Sequence, residues 1–320
     1  MEGNKVKFFH QPVLVEEVLD YLKVDKIALS KKARIIDATV GAAGHSAEFV
    51  KREISVLGID ADKDSLEIAG EVLERACPDG HQLVPVSSPN QTRGLYTLVH
   101  GNFKDIKKIA SDKDFYPVDG FLFDLGLASY QITSPDRGIS FAEPGAELDM
   151  RLDRENQSVK ASDLLNSLPE KKLVSLFSEV LDYRNSVKIA NQIVKARKVK
   201  IFKTVSDLLS VLSKTKIGHK KTLSPETLPF LALRIAVNSE LENLEKAIPQ
   251  SFDLLKKGGR LAVISFHSGE DRLVKHIFKN LASIGIGKIL TKKPIKPKLE
   301  EIIENPRSRS AKLRVIEKLS

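Results

Sequence analysis

The chain contains a single cysteine, Cys77, in 320 residues. An intrachain disulfide is impossible, and a zinc cluster built from cysteines is excluded. A lone thiol also points to a reducing compartment. Long apolar runs are missing too. No stretch approaches the roughly 18 apolar residues of a membrane span, and Met1 to His10 has no apolar core of signal-peptide length. Together these absences set the expectation of a cytoplasmic protein with no membrane partner. Isolated acids are present, but no metal-ligand cluster is visible, so no metal site is expected.

What is present is ordinary for a globular chain, with 42% hydrophobic and 29% charged residues. The charge is not balanced. A net charge of +9 and a pI of about 9.3 favour an acidic partner. Lys188, Lys195, Arg197, Lys198, Lys200 and Lys203 form one basic segment, followed by Lys214, Lys216, Lys220 and Lys221. Between Lys188 and Lys221 the only acid is Asp207. A second segment runs from Lys288, Lys292, Lys293, Lys296 and Lys298 into Arg307, Arg309, Lys312 and Arg314. Such runs are usually solvated helix faces. The scarcity of acids in the first tilts the reading toward phosphate contacts.

Val13 to Leu22 has apolar residues at helical spacing. Buried strands are expected at Ala33–Ala38, Val56–Ile59, Tyr96–His100 and Val118–Phe123, with helices at His45–Arg52 and Lys63–Ala76. The stretch Pro78–Gly94 reads as a loop. Strands alternating with helices imply a parallel, doubly wound α/β sheet. After Asp124 the pattern changes, and Ser162 to about Leu212 reads as all-helical. Leu228–Leu255 is again helical, Arg260–Phe266 a strand, Asp271–Leu281 a helix and Lys312–Glu317 a further β-like run. The expected division is residues 1–129 and 223–320 for the α/β domain, with a helical insertion at 130–222.

The tips of the strands carry the chemistry. The first ends in Asp37, followed by Thr39, Val40, Gly41, Ala42, Ala43, Gly44 and His45. Glycines at a strand-to-helix turn let a ligand approach the backbone. The spacing does not fit the G-x-G-x-x-G of a dinucleotide site, and Asp37 would repel a pyrophosphate. A cofactor with a cationic amino group and no phosphate, such as S-adenosylmethionine, is better accommodated. Asp60 ends the second strand, about 20 residues past the glycine turn, where an acid accepts hydrogen bonds from a ribose diol. Phe103 follows the third strand and is positioned to lie against an adenine, or else is core. Asp124 ends the fourth.

Several longer stretches resemble the RsmH/MraW family. They are HQPVLVEEV (His10–Val18), DATVGAAGHS (Asp37–Ser46), DLGLASYQ (Asp124–Gln131), RGISF (Arg137–Phe141), LDMRLD (Leu148–Asp153), SFHSGEDR (Ser265–Arg272) and PRSRSAKLR (Pro306–Arg314). The resemblance implies a Rossmann-like S-adenosylmethionine-dependent methyltransferase domain with an inserted all-helical substrate-recognition domain. It implies methylation of the exocyclic N4 of a cytidine in the decoding region of 16S rRNA, within the small ribosomal subunit, and no role for DNA. It further implies that Ala43, Gly44, His45, Asp60, Phe103, Asp124 and Gln131 contact the cofactor. A homodimer is left open. The chain departs from the family at Ala42 and Ala43, where glycines are common, at Tyr130 in place of proline, and at Gly269 in place of leucine.

Cytosine N4 is a poor nucleophile because its lone pair is delocalised into the ring. Acceptors aimed at its N–H groups would localise that pair, and Asp124 is the candidate catalytic residue, with carbonyls of the Leu125–Ser129 loop. The Asp/Asn-Pro-Pro-aromatic motif common in amino-methyltransferases is missing. Methylation at C5 would need a cysteine nucleophile, and Cys77 lies away from the strand tips. His45 and His267 are each either pocket-facing or structural. Arg234, Asn238 and Glu240 are polar groups available to a cleft. Two alternatives stay open: a methyltransferase acting on another substrate, and a non-catalytic RNA-binding assembly factor.

Overall fold

A computed structural model describes residues 12–30, 32–78, 92–215 and 224–320. Residues 10 and 11 of the first family motif, most of the expected 78–94 loop, and Lys216, Lys220 and Lys221 lie outside the described residues.

The chain divides into two compact units, Met1–Ala128 with Leu241–Ser320, and Ser129–Glu240. In the first unit, eight strands form one sheet: β1 (Arg34–Asp37), β2 (Ser55–Asp60), β3 (Thr92–Arg93), β4 (Tyr96–His100), β5 (Val118–Asp124), β6 (Leu255–Ser265), β7 (Gly287–Ile289) and β8 (Lys312–Lys318). Their order is β3-β4-β2-β1-β5-β6-β8-β7. The five central strands are parallel, and β3, β8 and β7 pair antiparallel at the edges.

Central strands are apolar on both faces because helices cover both faces. Ile35, Leu122, Ala262 and Ile264 join one core with Val18, Phe49 and Leu66. Their chain neighbours Ile36, Phe121, Phe123 and Val263 join the opposite core with Ile106, Leu244, Phe252 and Phe278. Period-two alternation thus splits one apolar run between two layers. The first layer includes α1 (Val15–Tyr21), α2 (Val24–Ala28), α3 (Gly44–Val50) and α4 (Lys63–Ala76), and the second α5 (Ile106–Asp112).

The helical unit contains α6 (Ser129–Thr133), α7 (Ala161–Ser167), α8 (Glu170–Ser178), α9 (Tyr183–Arg197), α10 (Val205–Lys214) and α11 (Thr227–Asn238). It has its own core, which includes Leu148, Leu165, Phe177, Ile193, Leu208, Phe230 and Leu233. It runs to Glu240, whereas the sequence pattern closed it at 222. The reason is α11, whose apolar residues Phe230, Leu233 and Val237 pack into the helical core. The helical run expected at Leu228–Leu255 is two helices, broken at Ser239, whose φ of 49° is left-handed. The chain then returns through α12 (Glu240–Leu254), α13 (Ser268–Ser283) and α14 (Leu299–Glu304). No described helix is long and apolar enough to cross a membrane.

Candidate active site at the strand tips

From β1 the chain winds outward through β2 to β4, then returns to the other side of β1 as β5 and proceeds to β6. The direction of winding therefore reverses between β1 and β5. A crevice at the carboxyl ends of these two strands is the usual binding place in an open α/β sheet. Asp37, Asp60, His100 and Asp124 are the last residues of β1, β2, β4 and β5.

The turn after β1 is fixed by hydrogen bonds to its neighbours. The Ala38 amide donates to the Leu122 carbonyl and the Val40 amide to the Ile59 carbonyl, both at 2.9 Å. Gly41 has φ +50°, and a Cβ there would meet only the Thr39 carbonyl, at 3.9 Å. The backbone is thus turned toward open space, as a cradle for a ligand requires. Ala43 also sits in the left-handed region, at φ 61°, although it carries a methyl. At Gly44, by contrast, a Cβ would lie 2.9 Å from the Pro12 ring, so glycine is needed there for packing.

Three carboxylates meet at these tips. Asp37, only 2% exposed, accepts the Ser46 hydroxyl at 2.7 Å and the Thr39 amide at 3.3 Å. Burial pushes its carboxyl up to about 6, against the Ser46 hydrogen bond and His45, while the Asp124 charge adds to the rise. Asp60 accepts the Gly41 amide at 2.8 Å and the Asp62 amide at 2.9 Å. Burial pushes it up to about 7, with the charges of Asp62 and Asp37 adding to the rise. Among the described residues, neither Asp37 nor Asp60 is paired with a lysine or arginine. The Asp124 amide donates to the Thr39 hydroxyl at 2.6 Å, which ties the tip of β5 to the turn after β1.

His45 lies 2.9 Å through Nε2 from the Val13 carbonyl, so Nε2 carries the proton. Its Nδ1 stands 3.6 Å from Asp124 Oδ2. Burial lowers the pKa of the imidazole, against the pull of Asp37, so the ring is neutral near pH 7. Phe103 follows Asn102, whose side chain caps the short turn at the Lys104 amide. Its ring packs edge-to-face on Phe123 with centroids 5.7 Å apart, and the rest is partly exposed. The β1, β2, β4 and β5 tips thus bring Ala43, Gly44, His45, Asp60, Phe103 and Asp124 to one end of the sheet. Gln131 lies in α6, in the helical unit. Sequence reasoning missed Thr39 and Ser46 as organisers of this site. Two hydroxyls flanking a glycine turn after a strand-end acid were the available signal.

Other candidates have structural partners. His267 caps α13 by accepting the Gly269 amide at 3.2 Å, and Glu270 accepts the Phe266 and His267 amides. Asn238 donates to the Met150 carbonyl and accepts the Leu152 amide, both at 2.9 Å, while Arg234 forks onto Glu240. Asp271 binds Arg314 Nε at 2.7 Å, joining the SFHSGEDR and PRSRSAKLR stretches. Arg197 donates to the Leu165 and Leu168 carbonyls, and Lys200 pairs with Asp207. Cys77, half-buried, is the first residue past the end of α4.

A ribosomal RNA small subunit methyltransferase H of Coprothermobacter proteolyticus is 40% identical over 311 residues, covering 97% of this chain and 96% of that protein. The protein of the same name from Persephonella marina is 40% identical over 317 residues, covering 97% and 99%. A solved putative methyltransferase from Streptococcus mutans, in complex with SAH, is 15% identical with a TM-score of 0.42, covering 93% of this chain and 96% of that one. The MraW methylase family matches residues 7–319, and the chain belongs to that family.

Proposed function

We propose that this protein transfers a methyl group from S-adenosylmethionine to the exocyclic N4 of a cytidine in the decoding region of 16S rRNA. The observation that carries the reading is the set of carboxylates at the β1, β2 and β5 tips, two of them pushed up by burial. Acids in that condition call for a ligand that brings hydrogen-bond donors or positive charge, and they repel a pyrophosphate. The α-amino group, sulfonium and ribose diol of S-adenosylmethionine match this donor set. The open face of Gly41 leaves room for the ligand. The family and the name of its relatives supply the substrate.

When bound, the cofactor supplies an electrophilic methyl group. The protein supplies placement. Asp60 accepts from the ribose diol, and the Ala43–His45 backbone and the Phe103 ring fix the remainder. Neutral His45 adds no positive charge beside a cationic ligand. Asp124 accepts an N4–H of the cytosine, which localises the nitrogen lone pair and receives the proton. Thr39 holds the Asp124 backbone for that task. For Gln131 the support is the resemblance alone. The helical unit is assigned to RNA recognition, through lysines such as Lys195, Lys198 and Lys203 on and after α9.

The test is methyl transfer from labelled S-adenosylmethionine to small ribosomal subunits from cells lacking the enzyme, followed by nucleoside analysis. The expected product is N4-methylcytidine. Label found only in protein, or as 5-methylcytidine, refutes the proposal.

A further inference from the structure

At the far side of the sheet from β4, α13, β7 and β8 border a half-open cavity of about 300 Å³ lined by Lys275, Phe278, Lys279, Ile289, Thr291, Lys292 and Arg314. Four of the seven lining residues are cationic and none is acidic. Lys275 and Lys279 are one turn apart on α13, where like charges repel. Lys292 approaches from the segment after β7. Among the described residues, none of these three ammonium groups has an acidic partner. All three lysines are exposed at the mouth of the cavity, where their charges converge on one point that an anion could share.

Two buried groups complete the site. Arg314, 6% exposed, commits Nε to Asp271 Oδ1 at 2.7 Å, which fixes the plane of its guanidinium. Its terminal N–H groups keep their donor capacity. Thr291, 3% exposed, accepts the Val315 amide through Oγ1 at 2.9 Å and retains its own proton for donation. Phe278, 1% exposed, and Ile289 close the floor of the cavity, so the cationic groups at its mouth are what a ligand meets. Its volume is at the lower end for small-molecule sites, about 300–1,000 Å³. In the sheet order β8 lies three strands from β1. At about 4.8 Å per strand that is roughly 14 Å to the side of the crevice.

We propose that this cavity is a second RNA subsite, in which Lys275, Lys279, Lys292 and Arg314 hold a backbone phosphate. It rests on the RNA-methyltransferase reading above. It would fix the strand's register beside the methylated nucleotide without reading its sequence.

The test uses the full chain and measures binding to small ribosomal subunits from cells lacking the enzyme, over a range of salt. In one variant Lys275, Lys279 and Lys292 become glutamine, and in a second they become arginine. A control variant changes the exposed Lys26, Lys32 and Lys257, near the opposite ends of the strands, to glutamine. The pocket glutamine variant is expected to bind about tenfold more weakly, and the slope of log affinity against log salt to shrink by about 0.7–0.9 for one lost phosphate. The arginine variant retains the parent slope, which a packing defect would not allow. A pocket glutamine variant with the parent affinity and slope, or one no weaker than the control, overturns the subsite while leaving the methyltransferase reading intact. A parent protein that does not bind small subunits overturns both.

Discussion

Replacing Asp60 by asparagine should move stability and cofactor affinity in opposite directions. Burial lifts the Asp60 carboxyl from 3.8 to about 7. At about 1.4 kcal/mol per pH unit, keeping it charged at pH 8 disfavours the ligand-free fold by about 4 kcal/mol. The sign follows from linkage. The folded state holds this proton more tightly than the unfolded chain, so stability falls as pH rises from about 4 to about 7. Asparagine removes that charge but can accept only one of the two amides, Gly41 or Asp62, that the carboxylate accepts. The lost bond costs about 1–3 kcal/mol. The net gain is about 1–3 kcal/mol at pH 8, which raises Tm by several degrees for a unit of this size. The same change removes the charged acceptor for a ribose diol, about 1.5–3 kcal/mol, so S-adenosylmethionine should bind about 10- to 150-fold more weakly. The parent's affinity should itself drop about tenfold from pH 8 to pH 6, as the carboxyl near 7 takes up its proton, and the variant's should lose that dependence. Calorimetric titration with cofactor and thermal melts at both pH values give every number. A variant that binds the cofactor like the parent, or one that loses stability at pH 8, refutes the reasoning.

Thr39→Val leaves the Asp124 amide without the hydroxyl it reaches at 2.6 Å; turnover should fall about 5- to 150-fold, as expected for about 1–3 kcal/mol of lost positioning, with KM for the cofactor nearly unchanged in steady-state assays. In the helical unit, Asp149 receives Arg151 through Nε at 2.7 Å and Nη2 at 2.8 Å. Asp149→Asn should destabilise that unit by about 3–5 kcal/mol in urea melts. Burial raises the Asp149 carboxyl but the Arg151 hydrogen bonds more than offset it and hold it below its ordinary value, so the parent's advantage over the variant should be full near pH 7 and vanish as pH falls below about 4.

The sequence disclosed the parallel core most plainly. Short apolar runs located β1, β2, β4 and β5, the first, second and last of these closing on an acid, and β4 (Tyr96–His100) and α4 (Lys63–Ala76) match residue for residue. Both-face burial makes such runs conspicuous. The edges were less legible. β3 and β7 have two and three residues, too few to show a period. α5 was hidden because its segment, IKKIASD, buries only Ile106 and Ala110. The break at Ser239 was invisible because apolar periodicity continues across it, and only the backbone dihedral interrupts the helix. At the candidate site, Asp60 and Asp124 stood out by strand position. The roles of Thr39 and Ser46 needed three dimensions, since a hydroxyl in a turn is compatible with many partners. The basic residues were the hardest to sort by composition alone: Arg197, Lys200 and Arg314 are engaged within the fold, whereas Lys275 and Lys279, outside both conspicuous runs, line the cavity.

The path of the chain through the sheet has a consequence for synthesis. β6 is the partner of β5, yet about 110 residues of helical unit are translated between them. With α12 included, about 130 residues separate the two strands, and at about 5–20 residues per second the hydrogen-bonding edge of β5 waits about 6–26 s on the ribosome for its neighbour. During that interval an apolar strand, Val118–Asp124, presents unpaired backbone groups to other nascent chains. The helical unit, with a core of its own, is able to collapse while the sheet is still half built. Efficient production of this protein should therefore depend on how fast that unit emerges and folds, and slow codons within it should favour aggregation through β5.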